Sequence, residues 1–262
     1  MKRINEIRKE FLNSLRVGWF LALRQIRRAN KGTTVLIVSI MVLTFLNLVV
    51  VSGLLVGLLV GSFEQFREGY SGEVIITAAD GRDYIENSQA LISYLNNHPK
   101  VDAISPRYAK NVQVLGTLTD LPAKNERPNQ IGLRLTGIDP EKEEALTGFS
   151  RFLMAGENLN LSQEGYALIG SNMIKKYSNF ADANIPGLSL LEDIDVGSRV
   201  RVSFSSGEEV VRKDFIIKGI VKSKVDEIST RMFILDRELK RLIPINKEQV
   251  QEIAVKTDYE YA

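Results

Sequence analysis

Residues 32–63 read GTTVLIVSIMVLTFLNLVVVSGLLVGLLVGSF. The run holds no Asp, Glu, Lys or Arg. About 18 such residues already suffice for a membrane-spanning helix. At 1.5 Å per residue this run would make a helix roughly 48 Å long, against ~30 Å of hydrocarbon in a bilayer. It must tilt or continue out of the membrane. A helix buried in a soluble core would break its apolar stripe with polar residues, and this one does not.

The flanks orient the span. Residues 1–31 carry nine basic and two acidic residues, a net charge of +7. Beyond the span come Glu64, Arg67 and Glu68. The bias of Lys and Arg toward the cytoplasm places the N-terminus there and residues 64–262 outside the cell (inner) membrane. A cleaved signal peptide would have an apolar region of ~7–15 residues and a small-x-small cleavage site. Neither is present, so the run reads as an uncleaved anchor.

The leader has its own pattern. Ile4, Ile7, Phe11, Leu15, Trp19, Ala22, Leu23 and Ile26 recur at spacings of three and four, which predicts an amphipathic helix over 4–28. Its polar face carries Arg24, Arg27 and Arg28, and Lys31 follows at the elbow into the span. Such a helix suits the cytoplasmic surface of the lipid bilayer, with Trp19 at headgroup level and the cations on anionic lipid. A solvated helix packed on a cytoplasmic partner fits the same pattern.

Within the span, Gly53, Gly57 and Gly61 stand four residues apart. Glycines so spaced leave a groove for a second helix, and Asn47 is a mid-span polar side chain that gains from a hydrogen-bonding neighbour. Glycine is also common in membrane helices generally. Helix packing is the reading taken for these four residues.

Residues 64–262 carry 25 basic and 30 acidic residues, so the basic pI of the whole chain belongs to the leader. Nucleic-acid binding by the outer part is excluded as a reading, because a phosphate footprint needs clustered positive charge. There is no cysteine, and a domain of this size needs no disulfide. Strands are expected over 73–77, within 101–118, and at 131–138, 165–170, 199–204, 209–221, 231–235 and 251–256. Short helices are expected after Ser88, from Pro140, from Ser171 through Tyr177 and from Asp236 to Leu242. The fold class is α+β: an amphipathic helix and one transmembrane helix, then a mixed extracytoplasmic domain.

Catalytic patterns are not found. The chain has no GxxxxGK[ST] loop, so no ATP site is expected in it. One histidine, His98, and no cysteine give no expected zinc site and no nucleophile elbow. Glu143-Glu144 reads as a solvated helix face. No enzyme activity, cofactor or metal is expected.

The order of segments resembles the permease subunits of MacB/FtsX/LolC-type ABC transporters. The junction LALRQIRRANKGTTVLIVSIMVLTFLNLVVVSGLLVG is similar to that family's opening, as are YSGEVIITA (70–78), LTGIDPEKE (135–143), YALIGSNMIKKY (166–177), VGSRVRVSFSSGE and FIIKGIVKS (196–223). Lipoprotein-releasing permeases look closest. The resemblance implies a transport component that passes the motion of a separate ATPase subunit, which binds the ATP, to an outer domain for export or for lipoprotein or lipid release. It implies an ABC ATPase, further permease helices or a second permease copy, and an extracytoplasmic protein as partners. It also implies a porter-like core with an inserted subdomain over about 106–164. Family members continue into three more spans, so a fragment, a split gene product and a shortened relative all stay open. The alternative is a single-pass sensor or binding protein with an α+β outer domain.

The orientation is testable because the chain has no native cysteine. A cysteine at Ser14 should be shielded from a membrane-impermeant maleimide in intact cells, and one at Ser206 should react. The opposite labelling pattern would overturn the topology.

Overall fold

The computed structural model describes residues 16–21, 24, 31–116, 128–179, 181, 189–206, 209–243 and 249–257. It divides into two compact units, Met1–Gly61 and Ser62–Ala262. In the first, residues 16–21 are helical and exposed. The rest of the expected leader helix, apart from Arg24, lies outside the described residues, and so do Arg27 and Arg28. Helix α1 (Lys31–Phe66) follows as one 36-residue helix with no buried residue, about 54 Å long at the usual rise. It is long and apolar enough to cross a membrane. Thr44 returns its hydroxyl to the carbonyl of Ile40 at 2.7 Å, so this polar group is satisfied within the helix.

The second unit begins with the last turn of α1. The helix closes in a π-turn, Arg67–Ser71, and then bends at Gly72. There φ is +64°, and a Cβ would stand 2.3 Å from the carbonyl oxygen of Val255, so only glycine fits. The elements that follow are β1 (Val74–Thr77), α2 (Ser88–Asn96), β2 (Val101–Leu115), β3 (Gln130–Ile138), α3 (Pro140–Thr147), β4 (Leu153–Gly156), β5 (Tyr166–Gly170), β6 (Arg199–Ser206), β7 (Glu209–Val221), α4 (Asp226–Ser229), β8 (Arg231–Leu235), α5 (Asp236–Leu242) and β9 (Glu252–Thr257). This is the mixed α+β domain that the sequence predicts.

The pairings close on themselves. β2 pairs with β3, β3 with β8, β8 with β5, β5 with β7, β7 with β6, and β6 again with β2. The β3/β8 and β5/β7 pairs are parallel, which requires a crossover rather than a hairpin. β2 serves two neighbourhoods. Its residues 101–107 pair with β9, and from Tyr108 onward it pairs with β3. β1 extends the sheet beyond β9. The expected border of an inserted subdomain, at Pro106, therefore falls inside β2, two residues before that strand changes partner.

Side-chain alternation sets the core. Val112 and Val114 of β2, Leu133 and Leu135 of β3, Val200 and Val202 of β6, and Ile169 of β5 join one buried cluster. Leu168, Phe233 and Leu235, the alternate residues of β5 and β8, join another with Phe149, Val225 and Tyr70. All five residues of β8, RMFIL, are buried, because this strand is covered on both faces.

Two local expectations are corrected. Ser88 is not a helix cap: the N-cap is Asn87, and Ser88 donates to the carbonyl of Ile85 at 2.5 Å. No helix runs from Ser171 to Tyr177. A 3-10 turn ends at Met173, and Ile174 is extended, bridging to Leu191. Both are completely buried, and placing Ile174 in the core outweighs the local helical preference.

Tight backbone packing gives a stability test. A Cβ at Gly170 would stand 2.2 Å from the carbonyl oxygen of Ser229, whereas one at Gly132 would meet nothing within 4 Å. Gly170→Ala should cost about 1–3 kcal/mol and lower the outer domain's melting midpoint by several degrees. Gly132→Ala should stay within about 0.5 kcal/mol of the parent. Equal melting curves by circular dichroism in detergent would contradict the packing.

Candidate functional site

After the apolar run the sequence turns polar, EQFREGYSG, yet one of its residues is deeply buried. Tyr70, in the π-turn, is only 3% exposed. Its ring lies 5.5 Å from that of Phe66, one helical turn earlier. Around it gather two cations and two anions from four separate elements: Arg107 of β2, Glu143 of α3, Arg231 of β8 and Glu252 of β9.

The local sequence explains each position. Arg107 and Glu252 are direct cross-strand partners in the antiparallel β2/β9 pair. Ser105 and Arg107 are two residues apart on one strand, so their side chains share a face, and both reach Glu143. Glu143 is held by helix α3. That helix starts with Pro140 and is capped by Asp139, whose carboxylate accepts the N–H groups of Glu141 and Lys142. Arg231 opens β8, which the parallel pairing with β3 sets in register.

The geometry is dense. The Tyr70 hydroxyl donates to Glu252 Oε1 at 2.5 Å and accepts from Arg231 Nη1. Its main-chain carbonyl accepts from Arg107 Nη2 at 2.8 Å. The two guanidinium carbons lie 4.3 Å (Arg107) and 4.8 Å (Arg231) from the Tyr70 ring centroid, within cation–π range. Arg107 grips Glu143 with two donors, Nε to Oε2 at 3.0 Å and Nη2 to Oε1. Ser105 adds a third donor to Glu143 at 2.6 Å. Glu252 Oε1 lies 3.5 Å from Arg107 and 3.8 Å from Arg231. Glu143 is thus buried, not the solvated residue its sequence suggests, whereas its neighbour Glu144 is exposed and accepts from Ser150.

Electrostatics follow from burial. Burial pushes the Tyr70 phenol far above its ordinary range, and the charge of Glu252 pushes it further, so Tyr70 stays a neutral hydrogen-bond donor. Burial works against the charge of Arg107, but Glu143 outweighs it and holds the guanidinium protonated beyond its usual range. Four charges of zero net sum, each hydrogen-bonded, form a network that breaks at high cost when one member is removed.

Lighter contacts fasten the same segment. Arg151 Nη2 donates to the Glu68 carbonyl at 2.7 Å. The Glu73 N–H donates to the Val255 carbonyl at 3.0 Å, and the Glu73 carboxylate accepts from Thr257 N at 2.9 Å. The arrangement holds no exposed nucleophile, and among the described residues no three His, Cys, Asp or Glu side chains converge as a metal site would. What it does is tie the end of a long apolar helix into three strands and a helix.

The residues singled out from the sequence lie elsewhere. Trp19, Arg24, Lys31, Asn47, Gly53 and Gly57 are exposed, and Gly61 is partly so. A Cβ at any of the three glycines would meet nothing within 4 Å. None of them joins the Tyr70 cluster. Sequence reasoning missed that cluster; its one local signal was a charged residue set in an apolar strand, as in QEIAV around Glu252.

Two tests follow. Arg107→Met leaves Glu143 buried without its main partner and should cost about 3–5 kcal/mol. Tyr70→Phe removes one donor and one acceptor and should cost about 1–3 kcal/mol. Chemical unfolding of the full chain in detergent reads both, and parent-like curves would refute the network. The pH test has a definite sign. The folded-state pKa values of Tyr70 and Tyr108 are raised, Tyr108 chiefly by burial. Their contribution is whole below the unfolded tyrosine value near 10 and is lost as pH climbs above it. Melting midpoints should fall above about pH 10, and Tyr70→Phe should make that fall shallower.

No protein-family model matches the sequence, and no curated protein matches it. Among solved structures the chain is similar to the extracellular domain of the noncanonic ABC-type transporter YknZ from Gram-positive bacteria. The identity is 14% and the TM-score 0.42, over 70% of this chain and 82% of that one. It is also similar to the periplasmic region of MacB from Actinobacillus actinomycetemcomitans, at 14% identity and a TM-score of 0.44, over 71% of this chain and 74% of that one.

Proposed function

We propose that this chain is a membrane permease component of a MacB/LolC-type ABC transporter, and that it carries movement of its span to an extracytoplasmic domain. The observation that carries the reading is the junction. Helix α1 does not end in a loop; its last turn passes through a π-turn into the buried cluster of Tyr70, Arg107, Glu143, Arg231 and Glu252. A shift of the helix end must move strands β2, β8 and β9 with it or break a costly network. Packed elements of this kind transmit displacement rather than absorb it. The sequence resemblance of the leader, span and four later segments supports the same assignment.

In this reading the leader lies on the cytoplasmic face, residues 64–262 lie outside, and a separate ABC ATPase subunit binds ATP. The partners are that ATPase, further permease helices or a second permease copy at the Gly53–Gly57–Gly61 face, and an extracytoplasmic protein. The cargo class is export substrate or lipoprotein and lipid released from the membrane.

Two measurements test it. Calorimetry on the purified chain should show no stoichiometric ATP binding; binding would contradict the division of labour. Gly57→Ile should insert normally, since Ile favours the bilayer by a few tenths of a kcal/mol. It should nonetheless lose co-purification with companion helices or with a second copy, because close packing holds membrane helices together. Leu58→Ile is the control. If both variants associate like the parent, the glycine stripe is compositional and a single-pass sensor becomes the better account.

A further inference from the structure

We propose that the outward face of strands β3, β2, β6 and β7 is a docking platform for an acidic segment of a partner protein. The strand register sets side chains from these four strands in rows. Gly132, Gln113, Ser203 and Arg212 form one row, and Gln130, Leu115, Arg201 and Asp214 form the next. The residues that alternate with them, such as Val112, Val114 and Val202, are in the buried core, so the rows lie on the opposite face. Ser203 is short, and the longer side chains of Gln113, Gln130, Arg201 and Arg212 stand around it. With Leu115 these residues line an open trough of about 460 Å³. Beyond Gln113 in the same row the backbone is bare, because a Cβ at Gly132 would meet nothing within 4 Å.

Charge is segregated onto this face. Among the described residues its outward positions carry Arg134, Arg199, Arg201 and Arg212 against one carboxylate, Asp214, in an outer part that holds 25 basic and 30 acidic residues overall. Asp214 is already engaged, since Arg201 Nε donates to it at 2.8 Å. Arg134 and Arg212 are exposed and make no ion pair or hydrogen bond among the described residues. Arg199 is exposed as well and adds its charge near Asp214. Arginine binds a carboxylate through two parallel, charge-assisted bonds. Arg201 and Arg212 stand diagonally on neighbouring strands, roughly 7–8 Å apart at the backbone, and both line the trough. A carboxylate lying between them meets two guanidinium groups.

The neutral groups favour a polypeptide over other anions. Asn111, Gln113 and Gln130 are exposed on this face, and each amide both donates and accepts. A phosphate or sulfate group brings acceptors only, which leaves the amide oxygens unmet. A uniform polyanion would also lay like charge over Asp214. A peptide backbone supplies donors as well as acceptors, and its carboxylates can be spaced to reach the arginines and miss Asp214. Charge complementarity thus fits a protein segment that carries several Asp or Glu among neutral residues. The proposal rests on the permease reading above only for the partner's location, as an extracytoplasmic protein.

The test uses the full chain in detergent at low salt, with a bimane label on a cysteine replacing Val210. That residue is exposed, pairs with Ser205 on the same face and does not line the trough. The probe is a synthetic peptide of alternating Glu and Ser with one tryptophan, which quenches bimane on contact. A Gln-for-Glu version of the peptide is the comparison. Contact quenching reads peptide held at this face and not peptide held elsewhere on the chain. The parent should be half-quenched at an about tenfold lower concentration of the Glu peptide, the sum expected of three exposed arginine–carboxylate contacts. The variant R134Q/R199Q/R212Q should lose that preference with an unchanged melting midpoint, and R212Q alone should lose part of it. The variant R151Q/K222Q/K224Q, which removes as much charge elsewhere, should keep it. Equal quenching by both peptides in the parent, or a preference that survives the triple face variant, would overturn the platform. Displacement of the Glu peptide by inorganic polyphosphate at a tenfold lower charge concentration than by unlabelled Glu peptide would overturn the peptide assignment in favour of a phosphate polyanion. The cysteine labelling at Ser14 and Ser206 reads the topology separately. A reversed labelling pattern with intact peptide preference would defeat the permease topology and uphold the platform, and normal labelling without the preference would defeat the platform alone.

Discussion

A tyrosine hydroxyl 2.5 Å from a buried carboxylate, Tyr70 to Glu252, ties the π-turn that closes helix α1 to strand β9. Tyr70 sits among four charges, each of which would be expensive to bury alone. Arg107 is 1% exposed and tolerable only because Glu143 meets it with two hydrogen bonds. Glu143 in turn needs the cap at Asp139 to hold its helix in place. Each member fixes another's position, so the group behaves as one unit. An apolar plug of equal volume could hold as tightly, since buried ion pairs often give little net stability over good packing. What the ionic version adds is directionality. A network of oriented donors and acceptors tolerates one arrangement of the helix end, where an apolar contact would tolerate several.

The sheet gives this joint its leverage. Strand β2 is paired to β9 along its first half, where Arg107 stands, and to β3 and β6 along its second half. The same strand that binds the helix end therefore runs on into the closed ring of six strands. β8 does the same from the other side: Arg231 contacts Tyr70, and Met232 and Ile234 fill the ring's interior. Tyr70 has two hydrogen-bonded links into the ring, through Arg107 on β2 and Arg231 on β8. Gly72 keeps the connection short, because its absent side chain lets the chain pass against Val255.

The surface beside this joint has a different character. Arg151 links the two, bonding the carbonyl of Glu68 while lining a pocket with Lys222 and Lys224. That bond is separate from the buried network around Tyr70.

The sequence by itself determined the long apolar helix, from 32 uncharged residues in a row, long and apolar enough to cross a membrane. Most of the strands were legible in it too, from alternation and turn chemistry, and so was the helix from Pro140, whose cap at Asp139 came to light only in the structure. These are local matters, settled within a few residues. Where local and distant forces disagreed, the distant ones won. Ile174 left the helix predicted for it to bridge Leu191, and Ser88 turned back to Ile85 instead of capping. Only the tertiary structure decided the joint, because its members lie as far apart as residues 70 and 252. Glu143 looked like any surface glutamate on a short helix. Its role depends on which strand that helix packs against, and the pairing of β2 with β9 across the chain is not written in either strand alone.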